Sequence, residues 1–192
     1  SQIGYMIMGV ALGGVAAISA TIFYMLHHIP VKTSLFLVEG IVERETGSST
    51  LGRVSGLARR SGPMAALFLI PAFSLAGLPP FSGFLGKTAV VTEGLDQQSW
   101  WIVGAALAVS LMTLISMLKI WTGAFWGTPD PMPAAGEHAG ILRKHPLMSG
   151  VTTAVVTLTL LIAVFAGPLY RLCERAAIDV TDVTAYPTAV LP

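Results

Sequence analysis

Charge is what this sequence has least of. Lys and Arg supply 11 of its 192 residues and Asp and Glu another 10, so 11% are charged, where a soluble domain has about a quarter. The apolar share is 54% and the mean hydropathy +0.74. Such a chain is not a soluble globular domain; it reads as an integral membrane protein without a large aqueous part. A net charge of +1 leaves no electrostatic footprint for nucleic acid. The single cysteine, Cys173, excludes an internal disulfide and has no partner for a zinc site. There is no phosphate-cradling glycine loop, nucleophile elbow or paired CxxC, so hydrolytic, nucleotide and redox chemistry have no support and no cofactor is expected. Ser1 opens directly into an apolar run with no basic n-region and no A-x-A-like cleavage site. It does not read as a signal peptide and is expected to be the cut edge of a longer protein.

What is present is a series of apolar runs near the roughly 20 residues needed to cross a bilayer. The expected class is all-α: a single polytopic bundle of transmembrane helices over residues 1–192, with one interrupted helix. Six segments are expected: a truncated span at 1–14, then, after a turn near Val15 to Ser19, spans at 20–42, 63–78, 81–95 (after a break), 100–126 and 147–169. Glu43 to Gly62, polar and basic, reads as an extramembrane loop, as does the proline-rich stretch from Thr128 to Pro146. Trp100 and Trp101 suit a membrane interface, and Lys119 beside Trp121, Phe125 and Trp126 suits a headgroup anchor. Residues from Arg171 onward read as an amphipathic extension and a tail. Simple alternation of these spans collects Arg44, Arg53, Arg59, Arg60, Arg171 and Arg175 on one side and Arg143 and Lys144 on the other. That bias puts the first side in the cytoplasm.

Two stretches could carry chemistry. In SLAGLPPFSGFLGK, from Ser74 to Lys87, an apolar helix pattern is broken by Gly77, Pro79, Pro80 and Gly83 before it resumes and presents a lysine. From Pro63 to Leu95, Lys87 and Glu93 are the only charges. A charge at membrane depth is costly and points to function. Unwound backbone beside it is tolerated only where protein or water satisfies its amides and carbonyls. The structural alternative is a loop between two spans whose lysine snorkels to the headgroups.

The second stretch is HHIPVKTSLFLVEG, where His28, Lys32, Leu35 and Glu39 recur on one helical face and Pro30 should kink the helix. A desolvated lysine can release its proton from a free-solution pKa of about 10.4. A histidine one turn away, at about 6 Å, can pass that proton on. Glu39, or another carboxylate, could gate the relay by approaching or leaving Lys32. His27 and His28 also suit a satisfied helix contact, Glu39 and Glu93 also suit ordinary helix ends, and HHxxxK lacks a third plausible ligand for a metal.

Taken together, SQIGYMIMG, HHIPVKTSLFLVEG, SLAGLPPFSGFLGK and MLKIWTGAFWG resemble the C-terminal half of the antiporter-like subunits shared by respiratory complex I and Mrp-type sodium/proton antiporters. The HHxxVKTxLFL run, AFWG and the closing AYPTAVLP resemble most the D-type subunits of the Mrp group. The resemblance implies a family of about fourteen spans, with this chain forming the second half. It also implies that Lys32 is the central lysine of the second half-channel, that His28 precedes it by one turn, and that Lys87 lies on the broken helix near the exit. The implied activity is that of a secondary transporter subunit, not an enzyme. Protons and Na+ or K+ would be its ions, other antiporter subunits and the lipid bilayer its partners, and the bacterial inner membrane its location. The alternatives are a proton-pumping subunit of an NADH–quinone oxidoreductase or membrane hydrogenase, and a fragment that only packs.

Overall fold

The structure is a computed structural model that describes residues 2–48, 54–127 and 145–182. Among the described residues it contains helices and no strand. In chain order these are α1 (Gln2–Leu12), α2 (Gly14–Thr46), the short α3 (Leu57–Arg60), α4 (Gly62–Ala76), α5 (Ser82–Asp96), α6 (Trp100–Ile120) ending in a π-helical turn (Trp121–Phe125), α7 (Pro146–Val164) and α8 (Ala166–Thr181). The expected turn at Val15 to Ser19 is not there. The chain turns at Gly13 and Gly14, which supply φ of 68° and 76°, values that side-chain-bearing residues rarely adopt. Pro30 lies inside a helix that runs on through it.

Everything packs around α2. Its 33 residues extend about 50 Å, and the other helices take successive stretches of it. Val38 and Ile41 share a core with Met64, Leu67 and Phe68 of α4. His27 meets Ser82 at the start of α5, and Tyr24 and Phe23 lie against Gly86 one turn later. As the chain advances from α4 into α5, its partner on α2 therefore retreats steadily, so α4 and α5 run in the same direction, antiparallel to α2. They are two halves of one interrupted crossing, each of 15 residues, and not the two separate spans expected at 63–78 and 81–95.

That merger alters the sidedness read from the sequence. The α2 C-terminus and the α7 N-terminus lie at the same end, where Glu45 Oε1 is 3.4 Å from His145 Nε2 and Arg44 reaches Met148 Sδ at 3.5 Å. The segments at 43–62 and 128–146 therefore attach at one end of the bundle, and Arg171 and Arg175 belong to the opposite end. The expected alternation miscounted because the interrupted helix was given two crossings.

The stretch after α2 is also less loop-like than expected: Val54 and Leu57 are buried in the core with Phe125. That core is closed by ring packing of Phe68 on Phe125, with centroids 4.5 Å apart, and of Trp121 on Phe125 at 5.1 Å. Tight side-chain packing of this kind, rather than a hydrophobic driving force, joins helices in lipid. At the other end α8 lays Ala166, Cys173 and Ala177 against Phe23 and its neighbours, while Arg171, Glu174, Arg175 and Asp179 stay exposed. Three helices are long and apolar enough to cross a membrane: α2, α6 with its π turn, and α7. Trp100 and Trp101, 65% and 93% exposed at the start of α6, stand where an interfacial belt would. The residues at 128–144 and the AYPTAVLP tail lie outside the described residues.

Candidate functional site

The interrupted helix builds its site from its own C-terminal cap. At the end of α4, Gly77 adopts φ +84° and its N–H donates to the carbonyls of Phe73 and Ser74, while the N–H of Leu78 donates to Phe73. This six-to-one and five-to-two pairing is the Schellman pattern. It satisfies the carbonyls of Phe73 and Ser74 and leaves those of Leu75 and Ala76, which carry the negative end of the helix dipole, in need of donors.

Lys87 supplies them. Its Nζ donates to Leu75 O and Ala76 O, each at 3.0 Å, and to Ser110 Oγ of α6 at 3.2 Å. Three acceptors match the three N–H bonds of an ammonium. The side chain is 5% exposed, and its Nζ lies 5.1 Å from the centre of the Tyr5 ring, in cation–π range. Among the described residues no ion pair reaches it. A buried cation is therefore held by neutral oxygens and one aromatic face.

Two glycines make room. An ideal Cβ on Gly83 would stand 1.8 Å from Ser74 O, so only glycine lets α5 start against the end of α4. A Cβ on Gly77 would stand 2.8 Å from Lys87 Cδ and 3.3 Å from Nζ.

A buried polar cluster adjoins the amine. Tyr5 O–H donates to Ala106 O, and Tyr24 O–H donates to Gln2 Oε1. Gln2 Nε2 in turn donates to Thr113 Oγ1 at 3.2 Å. Tyr5 and Tyr24 pack at 5.4 Å, and Tyr24 and His27 at 5.5 Å. His27 is fully buried, with Nδ1 2.8 Å from Ser82 Oγ, and Ser82 Oγ is 3.4 Å from Ser74 Oγ. Its Nε2 has no hydrogen-bond partner among the described residues.

The family pattern described as "NADH:quinone oxidoreductase/Mrp antiporter, TM" matches residues 1–113. The chain belongs to this family. It is 37% identical over 191 residues to the D-type subunit of the Na(+)/H(+) antiporter of Alkalihalophilus pseudofirmus, covering 100% of this chain and 38% of that protein. It is 32% identical over 174 residues to the N 2 subunit of the NADH-quinone oxidoreductase of Solidesulfovibrio magneticus, covering 91% of this chain and 36% of that protein. Among solved structures it superposes on a chain of the Mrp complex from Dietzia sp. DQ12-45-1b with a TM-score of 0.86 and 34% identity, covering 100% of this chain and 43% of that one. The chain thus spans well under half the length of these relatives, and it shares the all-helical membrane bundle of the Mrp-type subunits.

Within this antiporter-like bundle the residues singled out from the sequence separate into two places. Lys87 lies in the cluster with His27. His28, half-buried, turns away, stacking on the opposite side of Tyr24 at 6.4 Å and 9°, and its Nδ1 has no partner among the described residues. Lys32 is exposed, with Nζ 5.1 Å over the Phe36 ring, and shares an open crevice with Leu35, Glu39, Phe68, Met117 and Ile120. Glu39 is exposed on that same crevice. Glu93 accepts from Gln97 Nε2 at 2.7 Å near the end of α5, which is an ordinary helix-end contact. Among the described residues Lys32 and Lys87 are not joined. The sequence reading passed over Gln2, Tyr5, Tyr24, Ser74, Ser82 and Ser110, which carry no charge; their signal was small hydroxyls flanking the break and a tyrosine one turn before the paired histidines.

Proposed function

We propose that this chain is the second half of the proton-translocating subunit of a multisubunit monovalent cation/proton antiporter in a bacterial inner membrane. Protons pass through His28, Lys32 and Lys87, and His27 joins the relay through Ser82. The observation that carries this reading is the setting of Lys87: a buried amine whose three protons all rest on neutral acceptors at a helix break. An amine in that setting can lose a proton without abandoning a carboxylate. The similarity to D-type antiporter subunits over the full chain supports sodium or potassium as the counter-ion. The end of the bundle carrying Arg44 and Arg59 faces the cytoplasm on this reading, because basic residues concentrate there.

The test is exchange by the full-length protein in its complex, reconstituted in vesicles. Lys87→Ala should abolish cation-dependent proton exchange while the complex still assembles. Unchanged exchange would remove Lys87 from the path. The similarity to an N-type subunit of an NADH-quinone oxidoreductase favours a second reading, in which the same module moves protons under redox drive. Exchange driven by a sodium or potassium gradient alone, with no quinone or NADH present, separates the two.

A further inference from the structure

We infer that the oxygen cluster at the break is a binding site for a free monovalent cation, and that the Lys87 ammonium and that cation occupy it in turn. This rests on the antiporter reading above and adds to it where the exchanged cation binds. The Leu75 and Ala76 carbonyls and Ser110 Oγ converge on one point at 3.0, 3.0 and 3.2 Å. Ser110 Oγ also lies 3.2 Å from Ala76 O, so the three oxygens form one cluster rather than separate contacts.

Two of the oxygens belong to a half-helix C-terminus, whose partial negative charge persists whether or not the lysine is charged. Carbonyls of a broken helix are the groups that replace the water around a cation inside a membrane. The groups lining the amine are Tyr5 from α1, Tyr24 and His27 from α2, the carbonyls of α4 and Ser110 from α6. None of these is a carboxylate. If the ammonium gave up its proton and the amine moved aside, two carbonyls and a hydroxyl would lack a donor in the interior, a costly state that one entering cation relieves. The exchange balances: one proton leaves the amine, one cation arrives, and the charge held by the cluster stays at +1.

Gly77 provides the space for this movement. It stands against Cδ and Nζ of the lysine with no side chain of its own, so the amine can swing without displacing a neighbour on that side.

The test uses the full-length protein in its complex and radioactive rubidium as the probe, with binding and proton release measured together. The native protein should take up rubidium at this site and release one proton per ion. Lys87→Ala leaves the oxygens without their tethered cation, so it should bind rubidium about tenfold more tightly than the native protein, with no proton release. Adding Ser110→Ala to that variant should weaken the binding again by about tenfold. Lys87→Arg keeps a charge that cannot deprotonate, so it should bind one rubidium fewer than the native protein. Equal rubidium binding by Lys87→Ala, Lys87→Arg and the native protein would overturn the inference. If Lys87→Ala does not assemble, the native and Lys87→Arg proteins decide it alone. Lost exchange in Lys87→Ala with unchanged rubidium binding sinks only the cation site; intact exchange in that variant sinks the proton reading beneath it.

Discussion

Lys87 and Lys32 are both lysines in apolar helices of one bundle, and their surroundings could hardly differ more. Lys87 is buried with all three ammonium protons accepted. Lys32 is exposed over a phenyl ring beside an open crevice. The first is compensated entirely within this chain, by a helix end and one serine. The second has the cost of its charge at membrane depth unmet by the described residues. A lysine read from sequence as intramembrane can therefore be a finished site or one face of an interface, and only the acceptors around it tell which.

The comparison can be broken most severely at Gly83. Gly83→Ala places a Cβ 1.8 Å from Ser74 O and should force α5 away from the end of α4. The expected cost is about 3 kcal/mol or more, read as loss of the assembled, heat-stable protein. Near-normal melting would show that the two half-helices need not abut.

Next comes the charge-retaining exchange at each lysine. Lys87→Arg should lower proton exchange by about a hundredfold or more, because a guanidinium does not release its proton. In the same vesicles, Lys32→Ala should lower exchange while leaving the melting temperature unchanged, since its amine makes no hydrogen bond among the described residues that the substitution would break. A large fall in melting temperature for Lys32→Ala would mean that the two lysines are alike after all.

Smaller effects sharpen the picture on the buried side. Ser82→Ala removes the partner of His27 Nδ1 in a fully buried setting and should cost about 1 to 3 kcal/mol. The corresponding loss at His28, through His28→Ala, should be smaller, because its Nδ1 has no partner to lose. Ser110→Ala takes away one acceptor of three and should cost about 1 kcal/mol, measured by thermal unfolding in detergent. A Ser110→Ala protein as stable as the native one would indicate that the carbonyls alone hold the amine.

Several of these features were legible before any coordinates. The break between Ser74 and Lys87 was, because Gly77, Pro79 and Pro80 cannot continue a helix; so was the membrane character, because charge is so sparse. Two things were not. Halves of 15 residues each, α4 and α5, come close enough to a spanning length to be counted as separate crossings; only their shared, steadily shifting partner on α2 shows that they make one. His27 and His28 are adjacent in sequence yet about 100° apart around the helix, and the stripe with Lys32 pointed to His28. Which of them enters the buried cluster depended on where Ser82 and Tyr24 came to lie.

By itself, the order of residues determined an all-helical membrane chain, a helix interruption at Gly77 to Phe81, and a lysine one and a half turns beyond it, because hydropathy and backbone restrictions act locally. The tertiary structure decided which histidine is buried, that the interrupted helix crosses once, and that Lys87 rather than Lys32 is satisfied within the chain. Those outcomes rest on acceptors brought from α4 and α6 to α5, and no local pattern encodes the meeting of three helices.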